Sequence, residues 1–166
     1  NTAMVVGPNR DVEVLGYKGA LVVDLSAANA RQGAFNVSNV RLSYLDNGDR
    51  FNISSQTFTP APDKADGRLD PARPYYREPL FSADILGNST VVDLMGKLID
   101  SDQLDAIGLT LGSPHGVQPE LGFEFKFSRT GESVGYMSAT TEAYSVYNVR
   151  LDIRPIVVTR PLYQYK

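Results

Sequence analysis

Aspartates are the side chains in this sequence with the clearest chemical potential, because three groups of them stand close together in loop-like stretches. Asp63-x-x-Asp66-Gly67-x-x-Asp70 sets three acids around a glycine. Asp100-x-Asp102-x-x-Asp105 sets three more behind an apolar stretch, and Asp46-Asn47-Gly48-Asp49 is a tight acidic turn. Calcium takes about six to eight oxygen ligands from carboxylates, Asn side chains, backbone carbonyls and water. Close-set acids in glycine-containing loops supply these without a helix, so Ca2+ is the expected cofactor and the 63–70 loop its first candidate site. None of the groups has EF-hand spacing. Aspartate also favours turns and helix N-caps, a role that Asp100 and Asp102 fit equally well.

Catalytic constellations are scarce. The one histidine, His115, lies in Gly112-Ser113-Pro114-His115-Gly116, and no serine stands in a G-x-S-x-G context. A His-centred zinc site needs further ligands that a single histidine does not bring. With no cysteine there is no thiolate nucleophile, no thiolate metal site and no disulfide framework. Glu120, Glu124 and Glu132 gather about one strand and would be the acids of a glycoside hydrolase, but strand alternation turns Glu124 away from the apolar face. The expectation is a protein that binds and assembles, not an enzyme.

Partner classes narrow in the same way. Net charge is −3 and the 16 basic residues are scattered, whereas phosphate backbones select basic stripes, so nucleic acid is not an expected partner. Apolar runs such as Ala20-Leu21-Val22-Val23 fall far short of the ~20 residues of a membrane-spanning helix. Tyr75-Tyr76 and Tyr163-Gln164-Tyr165 are candidate contact residues for a protein interface or for carbohydrate. Sequons at Asn36, Asn52 and Asn88, against roughly one expected by chance, are candidate glycosylation sites and favour an extracellular chain. The sequence begins at Asn1 rather than Met, which fits removal of a signal peptide or a tag.

The elements that must position these residues are mostly strands. Leu121, Phe123, Phe125 and Phe127 alternate with other residues, predicting a strand with one apolar face. Arg129-Thr130-Gly131-Glu132 reads as a hairpin turn into a return strand over 133–140. A strand over 143–154 places Tyr147, Val149, Leu151 and Ile153 on one face and Asn148, Arg150, Asp152 and Arg154 on a solvated one. Further strands are expected at 11–15, 19–25, 34–45 and 51–58, with a bulge near Ser38-Asn39 where the alternation slips by one. Residues 59–80 carry Pro60, Pro62, Pro71, Pro74 and Pro79 without periodicity, the mark of a functional or interface loop. Val91, Val92, Leu94, Met95, Leu98 and Ile99 fall at helical spacing behind an Asn88 or Ser89 N-cap, and a second helical turn is expected after Ser101.

At the N-terminus, residues 1–9 form an extension to the domain at 10–166. After Thr2 an apolar stretch, Ala3-Met4-Val5-Val6, ends in Gly7-Pro8, and Thr2 to Pro8 are the candidate interface residues. A terminal strand ahead of such a hinge can add to the sheet edge of a neighbouring subunit; an ordinary first strand or a frayed tail are the other readings. The fold class expected is all-β, a jelly-roll-like β-sandwich with one or two short helical insertions, a closed barrel being the alternative.

The start Asn1-Thr2-Ala3-Met4-Val5-Val6-Gly7-Pro8, the strand Gly19-Ala20-Leu21-Val22-Val23-Asp24-Leu25-Ser26, the lack of cysteine and the Asp-rich loops together resemble the extracellular cannula subunits of hyperthermophilic archaea. More distantly they are similar to the TasA/camelysin biofilm-fibre proteins. The resemblance implies a secreted jelly-roll subunit that self-assembles with identical copies into a tube or filament, by donor-strand exchange and with calcium bridging subunits. The helical insertion at 88–105 and the Pro-rich loop are additions to that pattern. Two other readings remain: a lectin-like carbohydrate-binding module, and a viral capsid or tail-tube protein.

Overall fold

The computed structural model describes residues 1–166 throughout. In chain order its strands are β1 (Thr2–Val6), β2 (Asp11–Gly16), β3 (Ala20–Asp24), β4 (Asn29–Ala30), β5 (Val37–Leu45), β6 (Arg50–Asn52), β7 (Thr57–Thr59), β8 (Leu80–Ser82), β9 (Asp105–Leu111), β10 (Leu121–Ser128), β11 (Val134–Met137) and β12 (Tyr144–Val157). One α-helix, α1 (Thr90–Ile99), and a 3-10 turn, Pro62–Lys64, complete the set. The small sheet runs β1-β2-β6-β7; the large one runs β3-β5-β12-β10-β9-β8, with β4 beside β5 and β11 beside β12. All pairings are antiparallel except β8 with β9. This is the all-β sandwich with a short helix that the alternation predicts. No helix is long and apolar enough to cross a membrane.

One face of the large sheet carries Val40, Leu42, Phe127, Val149, Leu151 and Ala106, which α1 covers with Leu94, Met95, Leu98 and Ile99, joined by the fully buried Ile85. The helix lies close where its partner position is small: a Cβ on Gly135 would sit 2.6 Å from the Ile99 side chain. The opposite face meets the small sheet at a second core of Val14, Leu45 and Tyr147. There an aromatic stack runs from Phe51 to Phe58 (4.7 Å between centroids) and on to Tyr147 (4.8 Å). Beyond the small sheet that opposite face is solvated. It holds the ion pairs Arg154–Glu124 (2.8 Å), Arg150–Asp152 (3.0 Å) and Lys126–Asp105 (3.5 Å), contacts that contribute little to stability.

The bulge expected near Ser38-Asn39 is present: Asn39 has φ 59 and the β5–β12 register shifts between Leu151 and Ile153. Several other expectations are corrected. Tyr147 does not share a face with Val149, because a second bulge at Asn148 (φ 60) shifts the register between Val146 and Val149 and turns Tyr147 to the small sheet. Residues 129–132 are not a hairpin turn. β10 and β11 both lie against β12, at Arg150–Val157 and at Tyr144–Tyr147, so 129–133 is an excursion within one interrupted strand and the reversal falls at 138–143. The excursion is held where Arg129 N–H donates to Leu104 O (2.8 Å) and its guanidinium to Ser101 O (2.6 Å). The strand expected over 51–58 is split into β6 and β7, because Asn52 Oδ1 accepts N–H bonds from Ser54 and Ser55 and turns the chain.

Ser89 is the helix N-cap but sits at φ 63 with no side-chain cap bond. No helical turn follows Ser101. Its hydroxyl donates to Leu98 O and accepts from Gln103 N–H, leading the chain out of the helix. Residues 2–6 pair with β2 of their own chain and form the edge strand of the small sheet.

Phe127, fully buried between helix and sheet, and Phe81, 60% exposed on the edge strand β8, give a paired test of this packing. Phe127→Ala is expected to lower unfolding free energy by about 3–5 kcal/mol and Phe81→Ala by less than about 1 kcal/mol, as read by urea denaturation.

Candidate interaction surface

The N-terminal hairpin is built by local chemistry. Gly7 N–H donates to Asp11 O (2.8 Å) and Arg10 N–H to Gly7 O (3.1 Å), with Arg10 at φ 60. The register sets Met4 opposite Val14 and Val6 opposite Val12, and opposed residues in a pair share a face. Val12 and Val14 are buried, yet Met4 and Val6 are 60% and 61% exposed. The small sheet therefore overhangs the large one by a strand. Val5, on the other face, is 51% exposed. β1 thus presents apolar side chains on both faces and an unpaired backbone edge, and its sequence contains no charge and no proline. Proteins ordinarily guard edge strands with such residues.

A second such edge closes the large sheet. Leu21 and Val23 of β3 stand opposite Tyr44 and Leu42, on the helix side, but outside the area that α1 covers, and with Leu25 they are exposed. Asp24 ends this strand. Ser26 N–H donates to its carboxylate (2.8 Å) and holds it below the usual aspartate range.

The acidic loops are used in several different ways. Asp63 accepts from Ser138 Oγ (3.0 Å), Asp70 from Ala72 N–H (2.9 Å) and Asp102 from Gln103 Nε2 (2.7 Å), Asp105 pairs with Lys126, and Asp66 is exposed. Asp100 accepts Tyr144 Oη–H at 2.8 Å and Tyr75 N–H at 3.3 Å. Asp49 is fully buried and accepts the N–H groups of Asp46 and Ala61, each at 2.8 Å. The structure brings no three of the acidic or histidine side chains into a group that could hold a metal.

What the sequence did not show is Lys64, the largest fully buried side chain of the protein. Its Nζ lies 2.5 Å from Asp46 Oδ2, 3.9 Å from Asp49 Oδ1 and 3.1 Å from Ser145 Oγ. The 46–49 turn that supplies both acids depends on Gly48 at φ 83, where an L side chain is strained. Lysine in a proline-rich loop reads as solvated, and no spacing marks it for burial.

Of the sequon asparagines, Asn88 is exposed and Asn36 half-buried. Asn52 uses its amide N–H groups on Asn9 O (3.2 Å) and Asp11 Oδ1 (2.7 Å). His115 lies in an exposed loop.

A concavity of about 350 Å3 opens between α1 and the reversal at 138–143, with Tyr44, Tyr76 and Tyr144 beside Asp93, Glu142 and Lys97. Gly96 forms part of its wall, since a Cβ there would press on the Tyr144 ring at 3.4 Å. Asp100 holds the Pro-rich loop to this wall through N–H bonds from Tyr75 (3.0 Å) and Tyr76 (2.9 Å) to its carbonyl. Burial, then the Asp100 carboxylate, push the Tyr144 hydroxyl well above the usual phenol range. Burial, then Asp49, do the same to Tyr147.

Comparison with known proteins finds no matching family model, curated protein or solved structure.

Both tyrosines hold their protons more tightly in the fold than in the unfolded chain. The unfolded state therefore ionises first, and stability present in full below about pH 10 drains as pH rises beyond it. Melting temperature is expected to fall above that pH, less steeply in Tyr144→Phe and Tyr147→Phe. At neutral pH Tyr144→Phe should destabilise by about 1–3 kcal/mol through loss of the bond to the Asp100 carboxylate. Tyr147→Phe should be nearly neutral, because its buried hydroxyl has no hydrogen-bond partner to lose. Thermal and urea unfolding read both.

Proposed function

We propose that this protein is an extracellular structural subunit that associates with copies of itself by strand addition at β1. The observation that carries the proposal is the unguarded edge: five exposed residues, four of them apolar and placed on both faces, with no charge or proline to repel a partner. Strand addition satisfies the free backbone groups of such an edge, and the exposed side chains set the fit. β1 stays in its own sheet and extends it, in place of the donor-strand exchange implied by the resemblance. The occupant is a second copy, because the chain carries a complementary apolar edge at β3 on its other sheet. An interface between two different patches is head-to-tail, and where its rotation does not close a ring it propagates into a filament or tube. Calcium enters this proposal only between copies, with exposed acids such as Asp66 shared across the contact. A carbohydrate-binding module is the second reading, and the Tyr44, Tyr76 and Tyr144 cleft with its carboxylates favours it; a glycan array on monomeric protein tests it.

Two substitutions at exposed positions test the assembly directly. Val5→Lys spoils the β1 edge and Val23→Lys the β3 edge, and neither disturbs a core. Wild-type protein is expected to form particles that grow with concentration in light scattering and negative-stain microscopy. Each variant alone should stay monomeric with unchanged circular dichroism. Mixed together they should stop at heterodimers, since each retains one intact edge. Wild-type protein that stays monomeric across the accessible concentration range, or a Val5→Lys variant that assembles normally, would overturn the reading.

A further inference from the structure

We propose that Lys64 and Asp46 become joined by an isopeptide bond, a covalent tie between the 46–49 turn and the Pro-rich loop. The reacting groups are already placed. Lys64 Nζ is 2.5 Å from Asp46 Oδ2, and the side chain is 1% exposed. Asp49, fully buried, stands 3.9 Å from the same nitrogen. Backbone bonds fix all three residues: Asp46 N–H and Ala61 N–H donate to Asp49, and Lys64 N–H donates to Ala61 O at 2.9 Å. No large side-chain search separates the groups from reaction geometry.

The step is a condensation. Transfer of one proton from Nζ to Asp46 converts the ion pair into an amine and a carboxylic acid. The nitrogen lone pair attacks Asp46 Cγ and an N–C bond forms. The Asp49 carboxylate takes the second proton from nitrogen and delivers it to the departing oxygen, as a general base and then a general acid. The Cγ–O bond breaks and one water leaves. Nothing is oxidised or reduced, and the site carries the same net charge before and after, that of Asp49. Asp46 is the less buried partner at 16% exposure, which opens a path for the water.

Burial is what favours the product. As an ion cluster the site keeps one cation and two anions out of water, and attraction between buried charges repays that desolvation only in part. The amide leaves one anion, already holding two backbone N–H donors, and its own N–H stays beside Ser145 Oγ, which lies 3.1 Å from Nζ. The protein has no cysteine, so this would be its internal covalent link.

Intact mass spectrometry of the wild-type protein tests the proposal. The expected mass is lower than the sequence mass by one water. Trypsin should fail to cut after Lys64, and the fragment of residues 42–50 should appear branched onto that of residues 51–68. Lys64→Arg and Asp46→Ala should each restore the full mass. Asp49→Asn, with circular dichroism like wild type, should stay largely unlinked; full linkage in that variant would overturn the role given to Asp49. A wild-type mass equal to the sequence mass overturns the proposal, and so does water loss that persists in Lys64→Arg, the signature of a succinimide at Asp66-Gly67.

Discussion

β12 has to line two different cores and a solvated face within one continuous run of hydrogen bonding, and strict alternation cannot do this. A strand of period two offers only two faces along its whole length. In its C-terminal part, Leu151 faces α1 while Arg150, Asp152 and Arg154 face water. In its N-terminal part both faces are covered, by α1 on one side and by the small sheet on the other. The extra residue at Asn148 reconciles the parts. It keeps Val146 and Val149 on the helix side and frees Tyr147 to meet Phe58 and Tyr136. Asparagine tolerates the left-handed conformation that the bulge needs. With β5, β10 and β11 all hydrogen-bonded to this strand, their register follows from the position of that one residue.

The inequality of the two sheets follows from the same arrangement and leads to function. A four-stranded sheet cannot cover an eight-stranded one. The uncovered part is closed to apolar residues, and the sequence meets this with alternating charges that pair across strands. Antiparallel sheets tolerate such a wet face. The overhang at β1 is treated differently, since Met4 and Val6 continue the inward apolar pattern of Val14 and Val12 past the point where a core lies beneath them. Solvation explains the charged face. It does not explain the apolar overhang, and this contrast is what supports the role proposed for β1 over one for the broad polar surface.

Legibility in the sequence tracked how far neighbouring residues alone decide a feature. The Phe123 to Phe127 strand, the helix and the bulge at Asn39 are local patterns, and each is visible. The bulge at Asn148 is hidden because Tyr147, Val149 and Leu151 look like unbroken alternation. Only the adjacent pair Val146-Tyr147 hints that both faces are buried there. Residues 129–132 have turn chemistry, yet a turn and an excursion from a strand use the same residue types. Which one forms is decided by Ser101 and Leu104, distant in sequence. The acidic groups were visible as groups, but their partners, among them Lys64, Tyr144 and Ser138, come from other elements. Proximity in sequence showed where carboxylates are dense, without showing which cation or hydroxyl each one meets.

The Pro-rich stretch between β7 and β8 shows how a long loop becomes part of the fold. Closing a loop costs entropy that grows only slowly with length, so a few fixed points suffice to hold twenty residues. Here they are spread along it. Lys64 is held at Asp46, Leu69 N–H donates to Gly135 O (2.9 Å), Met137 N–H donates to Gly67 O (2.9 Å), and the Tyr75 and Tyr76 N–H groups are held at Asp100. Together the anchors reach three elements: the 46–49 turn, β11 (twice), and the end of α1. The loop accordingly ties both cores together, and its prolines limit the freedom that the unfolded chain would regain. Length without periodicity suggested an interface loop; several of its backbone groups are bonded inside the molecule, while the side chains of Asp66 and Tyr75 stay exposed. The strand edge at β1 differs from the loop in that its backbone groups remain unpaired, and the proposed association rests on that difference.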